Sequence, residues 1–217
     1  MCSIEHYFYE KGLRFIMKKL FSFAAILIFT ACKTHELSSL PENTQTLIKS
    51  CQVCHANVKN PNKGPNLDGM QKWYIIDQIN NFKKGHRGKD GSASGTLMTA
   101  AAQAIPDNQI EEVADWFADQ EIKKNKVSFN GNIETGKGKY EENCRGCHSS
   151  SIGRFFTGSP KIEQLEGDYV FDQLIKFRDG KRNFYNTDKH KEKMIVVAKR
   201  FNDQEFKDIV AYLESQK

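Results

Sequence analysis

Two five-residue segments, CQVCH at 51–55 and CRGCH at 144–148, restrict this chain more than any other feature. Each sets two thiols three positions apart and puts an imidazole directly after the second. A helical turn through such a segment brings all three groups to one side. That arrangement suits attachment of a c-type haem, with two thioethers to the vinyl edge of the porphyrin and the histidine on the iron. Other uses of paired cysteines fit less well. A zinc ribbon wants its two CxxC pairs about 15–20 residues apart, and these begin 93 residues apart. A redox-active dithiol of the thioredoxin kind wants a βαβ setting, and no convincing run of alternating strand residues is present. Two covalently bound haem c groups are therefore expected, one on Cys51, Cys54 and His55, the other on Cys144, Cys147 and His148.

The two motifs belong to a longer repeat. WYIIDQINNFKKGHR (73–87) matches DYVFDQLIKFRDGKR (168–182), so that Tyr74, Asp77, Gln78, Phe82, Gly85 and Arg87 recur 95 positions later. Ile110, Val113, Ala114 and Phe117 recur 96 positions later as Phe206, Ile209, Val210 and Leu213. A unit of this length is too long for a solenoid repeat and reads as a duplicated small domain. Both closing segments carry apolar residues at i, i+3, i+4 and i+7, one face of an amphipathic helix. Asp107 and Asp203 sit ahead of them as N-caps or first-turn acids. Both middle segments stop at a glycine, as a C-cap requires. The expectation is an all-α chain of two tandem small helical domains, each with a helix near CxxCH, a middle helix and a closing helix joined by long polar loops. The domains are placed at 37–124 and 125–217. Units this small bury limited apolar surface alone, and a large buried cofactor would complete each core.

The distal side of each iron needs a second ligand, often methionine. Met98 lies 43 residues after His55, and Met194 lies 46 after His148, at matching places between the middle and closing segments. Isolated methionines are usually core filler; the shared position singles these two out as axial ligands. Met70, His86 and His190 compete less well, the histidines reading as exposed loop residues. Gly64-Pro65-Asn66-Leu67 and Gly158-Ser159-Pro160-Lys161-Ile162 follow the attachment sites. A carbonyl at Pro65 or Pro160 would accept from the imidazole and orient it, where the plain alternative is a turn. Arg87 and Arg182 would either pair with haem propionates or stand as solvated charges at helix ends.

The remaining signal is N-terminal. Residues 20–31, LFSFAAILIFTA, form an uncharged, mostly apolar run after Lys18 and Lys19. A spanning helix needs about 20 apolar residues, so the run reads as the core of a secretory signal with Met17 as the true start. It ends in Phe29-Thr30-Ala31-Cys32, which resembles a lipobox, and Cys32 is expected to carry lipid. Residues 1–36 then form signal, anchor and tether, and the product is exported to the periplasm and held at a membrane. The net charge of +5 is modest and unevenly spread, and no run of Lys/Arg is interleaved with aromatics on one face, which argues against nucleic acid as a partner.

With these residues in place, the chain resembles a di-haem class I cytochrome c of the cytochrome c4 type over about residues 44–215. The resemblance implies two class I folds about a pseudo-twofold axis with His/Met ligation. It also implies single-electron traffic from a quinol-oxidising complex toward a terminal oxidase or a reductase, without catalysis. Ala56 and Ser149 depart from the glycine that often follows the motif, and the second loop carries an extra serine. The alternatives are a fixed cytochrome subunit of a respiratory complex and a di-haem oxidoreductase acting on a small inorganic donor such as thiosulfate. Against the second, all four cysteines of the repeats are used in attachment.

Overall fold

The computed structural model describes residues 36–55, 64–122, 129–182 and 189–216, with the side chains of 189–191 left aside. The expectations for Met17, the apolar run, Cys32 and the His190 side chain lie outside the described residues. Among these residues the secondary structure is helical, with no strand, and no helix is long and apolar enough to cross a membrane.

The first half contains α1 (Glu42–His55), α2 (Lys72–Lys83), α3 (Ala93–Gln103) and α4 (Ile110–Ala118). The second contains α5 (Ile133–Asn143), the short α6 (Arg145–His148), α7 (Ser151–Thr157), α8 (Gly167–Arg178), α9 (Lys189–Ala198) and α10 (Asp203–Ser215). The helices follow the patterns that predict them. In α2 the buried residues are Ile75, Ile79 and Phe82, and in α8 they are Gly167 and the apolar side chains Val170, Leu174 and Phe177. The spacing puts one stripe of each helix inward. Both stop in the same way: Gly85 and Gly180 adopt φ 67°. Their amides donate to Phe82 and Phe177, and the next amides to Asn81 and Lys176, the two bonds of a Schellman ending.

The closing helices carry the hearts of the two cores. Phe117 on α4 and Phe206 on α10 are fully buried, each contributing on the order of 2–3 kcal/mol of apolar burial. Asp203 is a first-turn acid; the cap itself is Asn202, which accepts from Glu205 N while the Glu205 carboxylate accepts from Asn202 N. Asp107 opens a 3-10 turn ahead of α4 and pairs with Lys83 at 2.6 Å.

Opening and closing helices pack together within each half, α1 on α4 and α5 on α10. The second crossing is tight: a Cβ on Gly136 would stand 1.9 Å from the Asp208 carbonyl oxygen. The first uses Thr44, fully buried, whose hydroxyl donates to Glu112 at 2.6 Å. The buried positions of α1, Thr44 and Ile48, lie seven and three residues before Cys51. Those of α5, Gly136 and Tyr140, lie eight and four before Cys144. The extra residue is absorbed where α5 breaks at Cys144 (φ −116°, ψ −38°), whereas α1 runs unbroken through its motif.

Three helices occupy stretches that were expected to be loop. α3 and α9 carry Met98 and Met194. The Ala-rich α3 is a strong helix former with Ser92 capping it by accepting from Gly95 N at 3.0 Å. α7 is capped by Ser150 and ended by Gly158 at φ 59°.

The halves meet through a repeated set of polar contacts. Arg87 donates to Gln78 of its own half at 2.6 Å, and to Tyr169 and Gln173 of the other at 2.8 and 2.9 Å. Arg182 donates to its own Gln173 at 3.0 Å, and to Gln78 and Tyr74 opposite at 3.2 and 3.4 Å. Asn66 N donates to Glu166, and its repeat mate Lys161 N donates to Gln71. Positions 66 and 161, and 71 and 166, are each 95 apart, so the same exchange is made in both directions. Of the two alternatives for Arg87 and Arg182, propionate partners or solvated helix-end charges, the second does not hold: Arg182 is 8% exposed, and burial is the largest influence on both guanidiniums. A sequence repeat does not say how its copies pack, and it is the packing that buries them.

Candidate functional site

The second motif follows the helix break at Cys144. His148 is buried, and its Nδ1 lies 2.8 Å from the Pro160 carbonyl oxygen. A carbonyl can only accept, so Nδ1 carries the hydrogen and Nε2 keeps its lone pair. Burial pulls the pKa of this imidazole down despite the bond to Pro160, which favours the neutral, ligating form. Desolvation pushes the Cys144 thiol up to about 12.

These groups face a cavity with about 1200 Å³ of atom-free space, part of it continuous with solvent. Cys144, Cys147, His148, Pro160 and Met194 all line it. The opposing wall is apolar, built from Leu165, Val170, Leu174, Phe177, Ile209 and Leu213. Tyr74, Asp77 and Gln78 of the first half also reach it, as do Tyr169, Gln173 and Arg182. The polar seam between the halves therefore opens into the cavity.

The first half repeats the histidine geometry. His55 Nδ1 is 2.8 Å from the Pro65 carbonyl oxygen, and Leu67 N donates to the His55 carbonyl at 3.2 Å. Burial lowers the pKa of this imidazole too. Gly64 lies flat against the ring: an added Cβ would stand 2.7 Å from His55 Cε1. Met98 is half-buried and packs against the core. Met70 is 2% exposed, with Sδ accepting from Gln164 Nε2 of the other half at 3.4 Å. His86 is half-buried, not an exposed loop residue; its amide closes the ending of α2. Neither Tyr74 nor Tyr169 was singled out as a site residue from sequence. The signal was available, since both belong to the repeated middle segment and a tyrosine at a helix start has a hydroxyl to place.

The second-half site can hold a flat apolar group with a metal at its centre. Two thiols stand beside a neutral imidazole, a thioether is on the same cavity, and much of the wall is hydrocarbon with a polar side toward the seam between the halves. The donor set and the cavity suit a haem. Two helical units of this design in tandem make the fold that of paired class I cytochrome c domains.

Comparison with known proteins agrees. The family model described as Cytochrome c matches residues 133–217. Cytochrome c4 from Pseudomonas aeruginosa is 27% identical over 175 residues, covering 76% of this chain and 82% of that protein. Cytochrome c-554(548) from Halomonas halodenitrificans is 33% identical over 79 residues, 34% of this chain and 88% of that protein. The solved cytochrome c4 of Acidithiobacillus ferrooxidans superposes with a TM-score of 0.56 at 26% identity, covering 77% of this chain and 99% of that one. A thiosulfate dehydrogenase (TsdBA) from Marichromatium purpuratum shares the fold, with a TM-score of 0.61 at 20% identity over 76% of this chain and 36% of that one. The chain belongs to the cytochrome c family, and its likeness to the cytochrome c4 type extends over both halves.

Proposed function

We propose that the chain is a di-haem electron carrier with one covalent haem c in each of two domains, residues 37–124 and 125–217. The observation that carries this reading is the convergence of Cys144, Cys147, His148 and Met194 on one apolar-walled cavity. Haem iron bound there supplies one-electron exchange between its ferric and ferrous states.

The residues divide the work. Cys51 and Cys54, with Cys144 and Cys147, tether the porphyrins. His55 and His148 present Nε2, held in place by Pro65 and Pro160. Met98 and Met194 would each offer a thioether sulfur to the haem iron, and an iron so held would have no place for a substrate. The apolar wall excludes water, which favours the less charged state of the site. Arg182, on the cavity wall, and Arg87 beside it offer positive charge to the haem carboxylates.

Export through the 1–36 segment with lipid on Cys32 would hold the carrier at the periplasmic face of a membrane. There it would pass electrons from a quinol-oxidising complex to a terminal oxidase or reductase. Spectroelectrochemical titration of the purified holoprotein tests the reading. Two one-electron steps, with rapid exchange toward hexacyanoferrate and no turnover of thiosulfate, are expected. Sustained oxidation of thiosulfate would overturn the carrier reading in favour of an enzyme.

A further inference from the structure

The segment between His148 and Pro160 is built for more than reaching Pro160. α7 folds back on α6: a Cβ on Gly153 would stand 2.2 Å from the Gly146 carbonyl oxygen. The Arg154 guanidinium donates to the Ser149 carbonyl at 2.6 Å. With that face committed, three large apolar side chains point outward. Ile152 is 72% exposed, Phe155 82% and Phe156 71%. The two rings meet edge to face with centroids 5.4 Å apart, so each restrains the other. Neither lines the cavity, but the next three residues, Thr157, Gly158 and Ser159, do. The knob therefore stands at the cavity rim, on the helix that packs against the turn bearing Cys147.

Single exposed apolar residues need no explanation, but three on a seven-residue helix form a patch. Along the chain, the charge around it has one sign. Every charged residue from Arg145 to Lys161 is basic, namely Arg145, Arg154 and Lys161. Arg145 and Lys161 are exposed. Acids resume at Glu142 and Glu163, and Glu163 accepts from the Tyr140 hydroxyl at 2.7 Å.

We propose that α7 docks a redox protein whose own electron-exchange edge is apolar and bordered by carboxylates. The proposal rests on the haem reading above and names the partner of the second site. Phe155 and Phe156 form the dehydrated centre of the contact. Arg145 and Lys161 supply charge at its border and steer the encounter. A lipid surface also accepts apolar and basic groups. Placement beside the thiols of the attachment turn favours a protein, because electrons enter or leave there only on close approach.

The test uses the full-length holoprotein and a Phe155→Ser/Phe156→Ser double variant, both checked for unchanged haem absorption. The probe is oxidised plant plastocyanin, whose copper edge is apolar and flanked by acidic residues. By stopped flow at low salt, the variant should reduce plastocyanin about tenfold more slowly, and the wild-type rate should fall as salt rises. Hexacyanoferrate, too small to need the knob, should oxidise both proteins at the same rate. Equal plastocyanin rates in the two proteins overturn the proposal. So does equality with plastocyanin joined to weaker variant binding to phosphatidylglycerol vesicles, which would assign the knob to lipid. So does a wild-type dimer that the variant dissolves, which would assign it to a second copy. Failure of hexacyanoferrate to react with the wild type would strike the electron-carrier reading itself, a separate result.

Discussion

Arg87 reaches across the molecule to the phenol oxygen of Tyr169 at 2.8 Å, and its repeat mate Arg182 reaches back toward Tyr74. Burial alone would raise the Tyr169 pKa, but the two guanidiniums outweigh it and bring it below the ordinary phenol value. Replacing Arg87 with Ala removes the donor this guanidinium gives to the Tyr169 oxygen and leaves the Gln78 and Gln173 oxygens with Arg182 as their remaining guanidinium donor. The variant should lose about 2–4 kcal/mol. Because the cluster joins the halves, urea unfolding followed by tryptophan fluorescence and by circular dichroism should separate into two transitions. A single wild-type-like transition would mean that the cluster does not couple them.

The distal methionines make a spectroscopic prediction. Met98→His and Met194→His should each remove about half of the weak red band that reports iron–sulfur bonds in the oxidised protein, and the double variant should remove all of it. Each change should also lower the potential of its own haem. Persistence of the band in the double variant would transfer ligation elsewhere.

Gly136 marks the closest approach of α5 to α10. Gly136→Ala drives a methyl group into the Asp208 carbonyl, backbone against backbone, with no flexible side chain to yield. The cost should be about 3 kcal/mol or more, seen as a lower midpoint in thermal melts. Gly138→Ala serves as the control, since an added Cβ there meets nothing within 4 Å. It should be neutral or slightly stabilising.

Asp90 links the loop after α2 to α8. Burial would raise its pKa, but bonds from Ser92 and from the Lys176 ammonium hold it at about 2, against 3.8 unfolded. The folded pKa is depressed, so the stabilisation is complete above the unfolded value and is lost as pH falls from about 4 through 2. Asp90→Asn should cost about 1–2 kcal/mol at neutral pH. Below pH 2 the two proteins should converge. A constant difference from pH 7 to 2, measured by denaturant melts, would remove the assigned role of the charge.

Much of this was legible in the residues themselves. The repeat, the stripes Ile75–Ile79–Phe82 and Val170–Leu174–Phe177, and the glycine endings at Gly85 and Gly180 are local patterns, and local chemistry decides them. The bonds from His55 and His148 go to Pro65 and Pro160, in the two Gly- and Pro-bearing segments that follow the motifs in the sequence. What escaped is mostly non-local. Nothing in a stretch ending in Arg87 says that the guanidinium will be buried against the other copy. The register change between Thr44 and Gly136 hides in a single inserted residue, and only the break at Cys144 reveals it. α7 is different, since Ser150 and Gly158 were readable as cap and stop. Its apolar outer face obscured it, because exposed Phe155 and Phe156 do not make the inward stripe by which helices are recognised.

Intact mass spectrometry of the exported protein, taken under denaturing conditions, tests the central claim most directly. The account predicts a single species heavier than its processed polypeptide by two haem groups, falling by one with Cys144→Ala/Cys147→Ala and by one with Cys51→Ala/Cys54→Ala. A denatured chain at the bare polypeptide mass, or at that mass plus lipid alone, would contradict it.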